Sequence, residues 1–206
     1  MAATLASHQH GKARVRLARV WRDGGRHAFV EWSVDVMLES DMAHAFLTAS
    51  NAGMTPTDTQ KNTVYYVAKQ MPQQCSPEEY AIALAQHFVR LYPKVSKAKV
   101  NVTQAPWERV QVGGAAHSHG FQASANLTRT ARVEFSADDG LLVTAGVRDW
   151  KVLKTTQSGY EGVSEGREAA ARVTRALQQR GCGAEVCRDD ASLAHTRNLP
   201  ATTQFC

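Results

Sequence analysis

Residues 27–38 (HAFVEWSVDVML) alternate without a break, placing Ala28, Val30, Trp32, Val34, Val36 and Leu38 on one side and His27, Glu31, Ser33 and Asp35 on the other. A period of two held this long is that of a half-buried antiparallel strand. The preceding run 13–22 (ARVRLARVWR) reaches it through Asp23-Gly24-Gly25-Arg26, whose glycines supply the positive φ that a tight hairpin connection needs. The chain therefore begins a sheet with one greasy face, and the rest of the sequence must cover that face.

Helical signals follow at 42–50 and 58–70, with a sharper one at 77–92 (PEEYAIALAQHFVRLY). There Ser76 is the expected N-cap, Pro77 the first helical residue and Glu79 the partner in a capping box, with Tyr80, Leu84, Phe88 and Leu91 marking the apolar face. Pro93 stops it. Strand patterns return at 97–112 and 119–136, and Asp138-Asp139-Gly140 turns the chain into a further strand-like run, 141–153. The predicted class is α+β, an antiparallel four-stranded sheet with helices on one face. The tail 164–206 has Phe205 as its one aromatic, so it buries little apolar area against its ordering entropy. It is expected to be mostly disordered, with at most one marginal helix at 166–180.

Composition removes several classes. With 43% hydrophobic and 21% charged residues in 206, the chain is neither wholly disordered nor collagen-like. No apolar run approaches a membrane span, and the start carries no signal-peptide core, so an unsecreted soluble chain without a membrane partner is expected. The formal charge of +5 favours anionic ligands. The densest basic cluster, Arg14, Arg16, Arg19 and Arg22, falls within one strand and reads as a solvated face; no nucleic-acid partner is expected. Cys75, Cys182, Cys187 and Cys206 lack paired C-x-x-C spacing and are expected as reduced thiols.

Three segments carry candidate chemistry. His117-Ser118-His119 has the spacing of two same-face ligands on a strand, which His87 or Cys75 could complete as a zinc site, but two histidines after Gly113-Gly114 more often shape a loop or meet solvent, and no metal is expected. In Thr55-Pro56-Thr57-Asp58-Thr59-Gln60-Lys61-Asn62-Thr63, Thr57 or Asp58 can cap the following helix, whose first amides form an anion seat. Lys151 to Gly162 joins lysines, hydroxyls and Tyr160 just after a strand, suited to a planar anion or simply to a polar turn.

Taken in series, Gly11-Lys12, Thr57 to Tyr65 with Ala68-Lys69, Trp107-Glu108-Arg109, His117 to Phe121, and Val152 to Gly159 resemble the urate oxidase (uricase) family over about residues 11–162. The resemblance implies a tunnelling fold, with residues 1–137 as a first unit and 138–163 as the opening strand of a second, assembled into homotetramers with active sites between subunits. It also implies oxidation of urate by O2 to 5-hydroxyisourate and H2O2, without metal or organic cofactor. By position, Lys12 and Thr57 resemble members of the family's proton relay, Asp58 the residue whose backbone amide meets urate, and Tyr160 the stacking aromatic. The relay pair is expected to face each other across a seam between two copies. After Gly162 the pattern departs from the family, and no counterpart of its urate-clamping arginine and glutamine or of its relay histidine is assignable. The expectation is a shortened form, encoded through a retained intron near Gly162-Val163-Ser164, inactive alone; the alternative is a non-catalytic form that only joins full-length subunits. A metal-bearing purine or pterin binder of the same fold is a third reading. Peroxisomal residence is implied by the resemblance, although the chain ends Gln204-Phe205-Cys206 without a targeting tripeptide; the cytoplasm is the other expectation.

Overall fold

The computed structural model describes residues 5–124, 127–151, 153, 187–189 and 192–199. The expected hairpin is β1 (His10–Asp23) and β2 (Arg26–Ser40), paired antiparallel from Asp23↔Arg26 to His10↔Leu38 across Gly24 at φ 54. On β2 the alternating side chains Val30, Trp32, Val34, Val36 and Leu38 are buried, as the sequence pattern requires.

The helices come next: α1 (Ala43–Leu47), α2 (Thr57–Gln70) and α3 (Pro77–Leu91). The capping box on α3 is complete, the Glu79 amide donating to Ser76 Oγ (3.1 Å) and the Ser76 amide to Glu79 Oε2 (2.6 Å). Tyr80, Leu84 and Phe88 are buried, but Leu91 is 63% exposed, which corrects its assignment to the core face; it is the last helical residue. The Tyr80 hydroxyl donates to the Val64 carbonyl (2.8 Å) and so locks α3 to α2.

The two later strand runs each divide. The first becomes β3 (Val95–Gln104) and β4 (Trp107–Val112), the second β5 (Ala115–Ala123) and β6 (Thr128–Ser136). Pro106 has no amide to extend β3, and its carbonyl accepts from the Ser124 amide (2.7 Å), closing β4 and β5 into a separate ribbon. Strand β7 (Gly140–Arg148) ends earlier than expected because Asp149 sits at φ 60.

In the tail, strands β8 (Cys187–Asp189) and β9 (Ser192–Leu199) extend the sheet to seven strands in the order β1-β2-β3-β6-β7-β9-β8, beyond the four expected; the rest of 164–206 lies outside the described residues. The open edge of β7 offers a row of unpaired backbone groups, and β9 takes it up from Leu141↔Leu199 to Val147↔Leu193 despite its poor apolar content. The helix expected at 166–180 lies outside the described residues. Both long helices pack on one face of the sheet, over a core centred on Trp32, Tyr80, Phe88 and Leu84.

The other face of the sheet is polar, with Lys99–Glu39 (2.5 Å) and Arg132–Glu134 (2.7 Å) ion pairs. One member of the arginine cluster does not belong to that solvated face. Arg19 shares the inward side with Leu17 and Trp21, donates to the Ala68 and Met71 carbonyls at the end of α2, and lies over the Trp21 ring. A basic group is favoured there by the negative end of the helix.

Candidate active site

The site begins with a break in strand parity. From Val15 to Trp21 the odd-numbered residues of β1 face inward, yet Lys12 pairs with Val36, an inward residue of β2. The register slips by one residue between Lys12 and Val15, where Arg14 takes φ 55 and its amide donates to Asp35 Oδ1 (2.7 Å). This bulge turns Lys12 onto the face that carries α2. Gly11 allows it, because a Cβ there would meet the Val36 carbonyl oxygen at 1.9 Å.

Opposite lies the start of α2. Its N-cap is Pro56 with no side-chain cap, so neither Thr57 nor Asp58 caps the helix as expected; Thr57 is its first residue. The first bond of the turn is from the Gln60 amide to the Pro56 carbonyl (3.1 Å), which leaves the amides of Thr57, Asp58 and Thr59 without helical partners. Those groups and the positive end of the helix make an anion seat. The Asp58 carboxylate pairs with Lys61 (3.1 Å) and is held below its ordinary pKa, first by that hydrogen bond and the Lys61 charge, then by the charge of Lys12. The Lys12 charge therefore bears on the α2 start of its own chain.

Two residues that the sequence reading missed hold this corner together. His10 Nε2 donates to the Thr55 carbonyl (3.2 Å), and Gln60 Nε2 donates to the same oxygen (3.2 Å). The first tethers β1 and the second tethers α2 to one turn. Gln60 is fully buried, with its Oε1 unpartnered; a polar residue at a core position of the helix was the available signal.

The remaining candidates lie elsewhere or beyond view. Tyr160, and all of the 152–159 motif except Leu153, fall outside the described residues. His117 and His119 approach each other on β5 (ring centroids 4.5 Å), whereas His87 lies among Tyr66, Phe88 and Tyr92. Among the described residues no three His, Cys, Asp or Glu side chains are grouped to hold a metal ion. The Trp107-Glu108-Arg109 segment fastens the ribbon to the sheet. Trp107 Nε1 donates to Glu31 Oε2 (2.9 Å), while Arg109 donates to the carbonyls of His27, His117 and Ser118.

Cys75 is ill suited to ligation. Burial, then the charge of Glu79, pushes its thiol up to about 11, with Arg19 acting weakly against them. In a variant whose other cysteines are serine, Cys75 is expected to react with a soluble disulfide reagent at pH 8 about a hundredfold more slowly than a small free thiol. A comparable rate would contradict this assignment.

An open antiparallel sheet with helices on one face, and a lysine set against an uncapped helix start, defines a tunnelling-fold unit with an anion seat. The Uricase family model matches residues 8–134, and the chain belongs to the uricase family. Uricase-2 of Phaseolus vulgaris is 47% identical over 169 residues, 81% of this chain and 54% of that protein; the Uricase of Arabidopsis thaliana is 47% identical over 156 residues, 74% and 50%. The crystal structure of uricase from Arthrobacter globiformis superposes with TM-score 0.68 at 26% identity, over 87% of this chain and 70% of that one. The chain thus spans about half the length of the curated relatives it matches.

Proposed function

We propose that this chain serves urate oxidation, supplying the Lys12–Thr57–Asp58 side of a site that oxidises urate with O2 and water to 5-hydroxyisourate and H2O2. The observation that supports the reading is the coupling of Lys12 to the free first turn of α2, inside the segment that matches the family. Urate is a flat, electron-rich anion. Once deprotonated it reduces oxygen itself, so the protein's work is to seat the anion and move protons, with no metal or organic cofactor required. The amides at 57–59 seat the anionic edge, Lys12 tunes the Thr57 hydroxyl for proton transfer, and Tyr160 stacks on the ring.

In this reading the site lies between subunits of a homotetramer in the peroxisome. The 206 residues hold one side of it, and the polypeptide alone turns over no urate. A bidentate arginine and a glutamine amide supply much of the orientation in such a site, and transition-state contacts of that kind are worth about two to three orders of magnitude each.

Complementation tests the proposal. A full-length uricase whose own counterparts of Lys12 and Thr57 are alanine is co-expressed with this chain, and urate absorbance and peroxide are followed in the co-purified assembly. Recovered turnover is expected, with none from the chain alone. Co-assembly without recovery, failure to co-purify, or full turnover by the isolated chain would each contradict it.

A further inference from the structure

The opposite end of α2, about 21 Å away for its 14 residues, carries a second basic feature. A cavity of about 480 Å3 opens between the β1–β2 turn, the segment 72–74 after α2, and Arg109 on the ribbon. Its charged lining is Arg22, Arg26 and Arg109 against one carboxylate, Asp23, with His27 beside them. The space is within the range of small-molecule sites.

The arginines are not equivalent. Arg109 is fixed: its guanidinium is held by the carbonyls of His27, His117 and Ser118 and rests over the Phe121 ring, so its charge is set in place before anything binds. Arg22 and Arg26 are exposed and enter no ion pair or side-chain hydrogen bond among the described residues. Their full donor forks therefore face the cavity or solvent. Carbonyls at a helix end would normally repel an anion, but Arg19 and the Trp21 indole already occupy those of Ala68 and Met71. Three guanidinium groups against one carboxylate leave two positive charges uncompensated. A monoanion would not balance them, whereas a phosphate ester or diphosphate would, and its paired oxygens match the fork geometry of arginine.

We propose that this cavity is a binding site for a small, multiply charged phosphate compound, separate from the urate site and independent of the urate reading. Arg22 and Arg26 close on the ligand as mobile clamps, Arg109 supplies the fixed charge, and Asp23 limits the affinity.

Calorimetric titration of the purified chain with pyrophosphate at low ionic strength tests this without urate. Saturable one-to-one binding is expected, weakened about tenfold or more in the R22A/R26A variant, since each removes a charge-assisted contact. D23N is expected to bind more tightly, and its answer stands even if the double variant folds poorly. Absence of saturable heat up to about 10 mM, or affinity unchanged in R22A/R26A and not raised in D23N, would overturn the site. So would a single-stranded oligonucleotide binding more tightly than pyrophosphate, because the arginines would then be reading a nucleic-acid backbone.

Discussion

Replacing Trp32 by alanine is expected to cost about 3–5 kcal/mol, the range for removing a large aromatic from a closed core. Trp32 has no exposed surface, stacks on Tyr80 (centroids 4.6 Å, 20° between planes), meets Trp21 edge-on at 6.4 Å, and donates through Nε1 to Gln104 Oε1 (3.0 Å). One ring thereby joins β1, β2, β3 and α3, and its loss leaves both a cavity and an acceptor without its donor. Against a total stability of about 5–15 kcal/mol, that is a large share. Urea unfolding followed by far-ultraviolet circular dichroism is the measurement. Trp32→Phe keeps the stacking, surrenders the N–H, and should lose substantially less. A loss below about 1 kcal/mol in the alanine variant would mean that the core lies elsewhere.

Thr57→Ala is expected to lower recovered urate turnover in the complemented assembly by about two to three orders of magnitude, the usual size of losing a group that acts only in the transition state. Its stability should hardly change, because Thr57 is exposed on the first turn of α2 and its side chain caps nothing. That split between activity and stability separates a role in proton transfer from a role in folding. Lys12→Met should show a similar loss of turnover while keeping the alkyl stem. It also has a signature of its own: without the Lys12 charge, Asp58 is released part of the way toward its ordinary carboxylate value, and Lys61, the larger cause, retains the rest. Carboxyl chemical shifts against pH would show it. Equal loss of stability and activity in Thr57→Ala would reduce the residue to a structural part.

Where one local rule decides the outcome, the structure was legible in advance. Alternation on β2, the positive φ of Gly24 at its turn and the capping box at Ser76 each act within a few residues and are present as read; Gly25 keeps an ordinary φ. The misses come from choices made by distant partners. Nothing near Lys12 announces the bulge; only the clash of parity between Lys12 and Val15 hints at it, and that clash means little until Val36 and Val34 are known to be their partners. Arg19 looked solvated because its acceptors, the Ala68 and Met71 carbonyls, lie 49 and 52 residues away. Pro106, by contrast, was a visible breaker inside a run read as one strand. The pairing of β9 with β7 depends on an open edge and not on the tail's own composition. In the candidate site, Thr57 and Asp58 were singled out at a helix start and given their roles by the family resemblance, whereas His10 and Gln60 stand out only through the Thr55 carbonyl they share.

The account stands on the corner formed by the β1 bulge and the first turn of α2 being where a purine anion sits. A crystal structure of the complemented assembly, grown with a purine that resists oxidation, addresses that claim directly. The prediction is density for the ring with an anionic edge on the amides of residues 57–59, and the Thr57 hydroxyl within about 3.2 Å of the Lys12 ammonium group. A purine bound elsewhere, with Lys12 and Thr57 turned into unrelated surroundings, would contradict it.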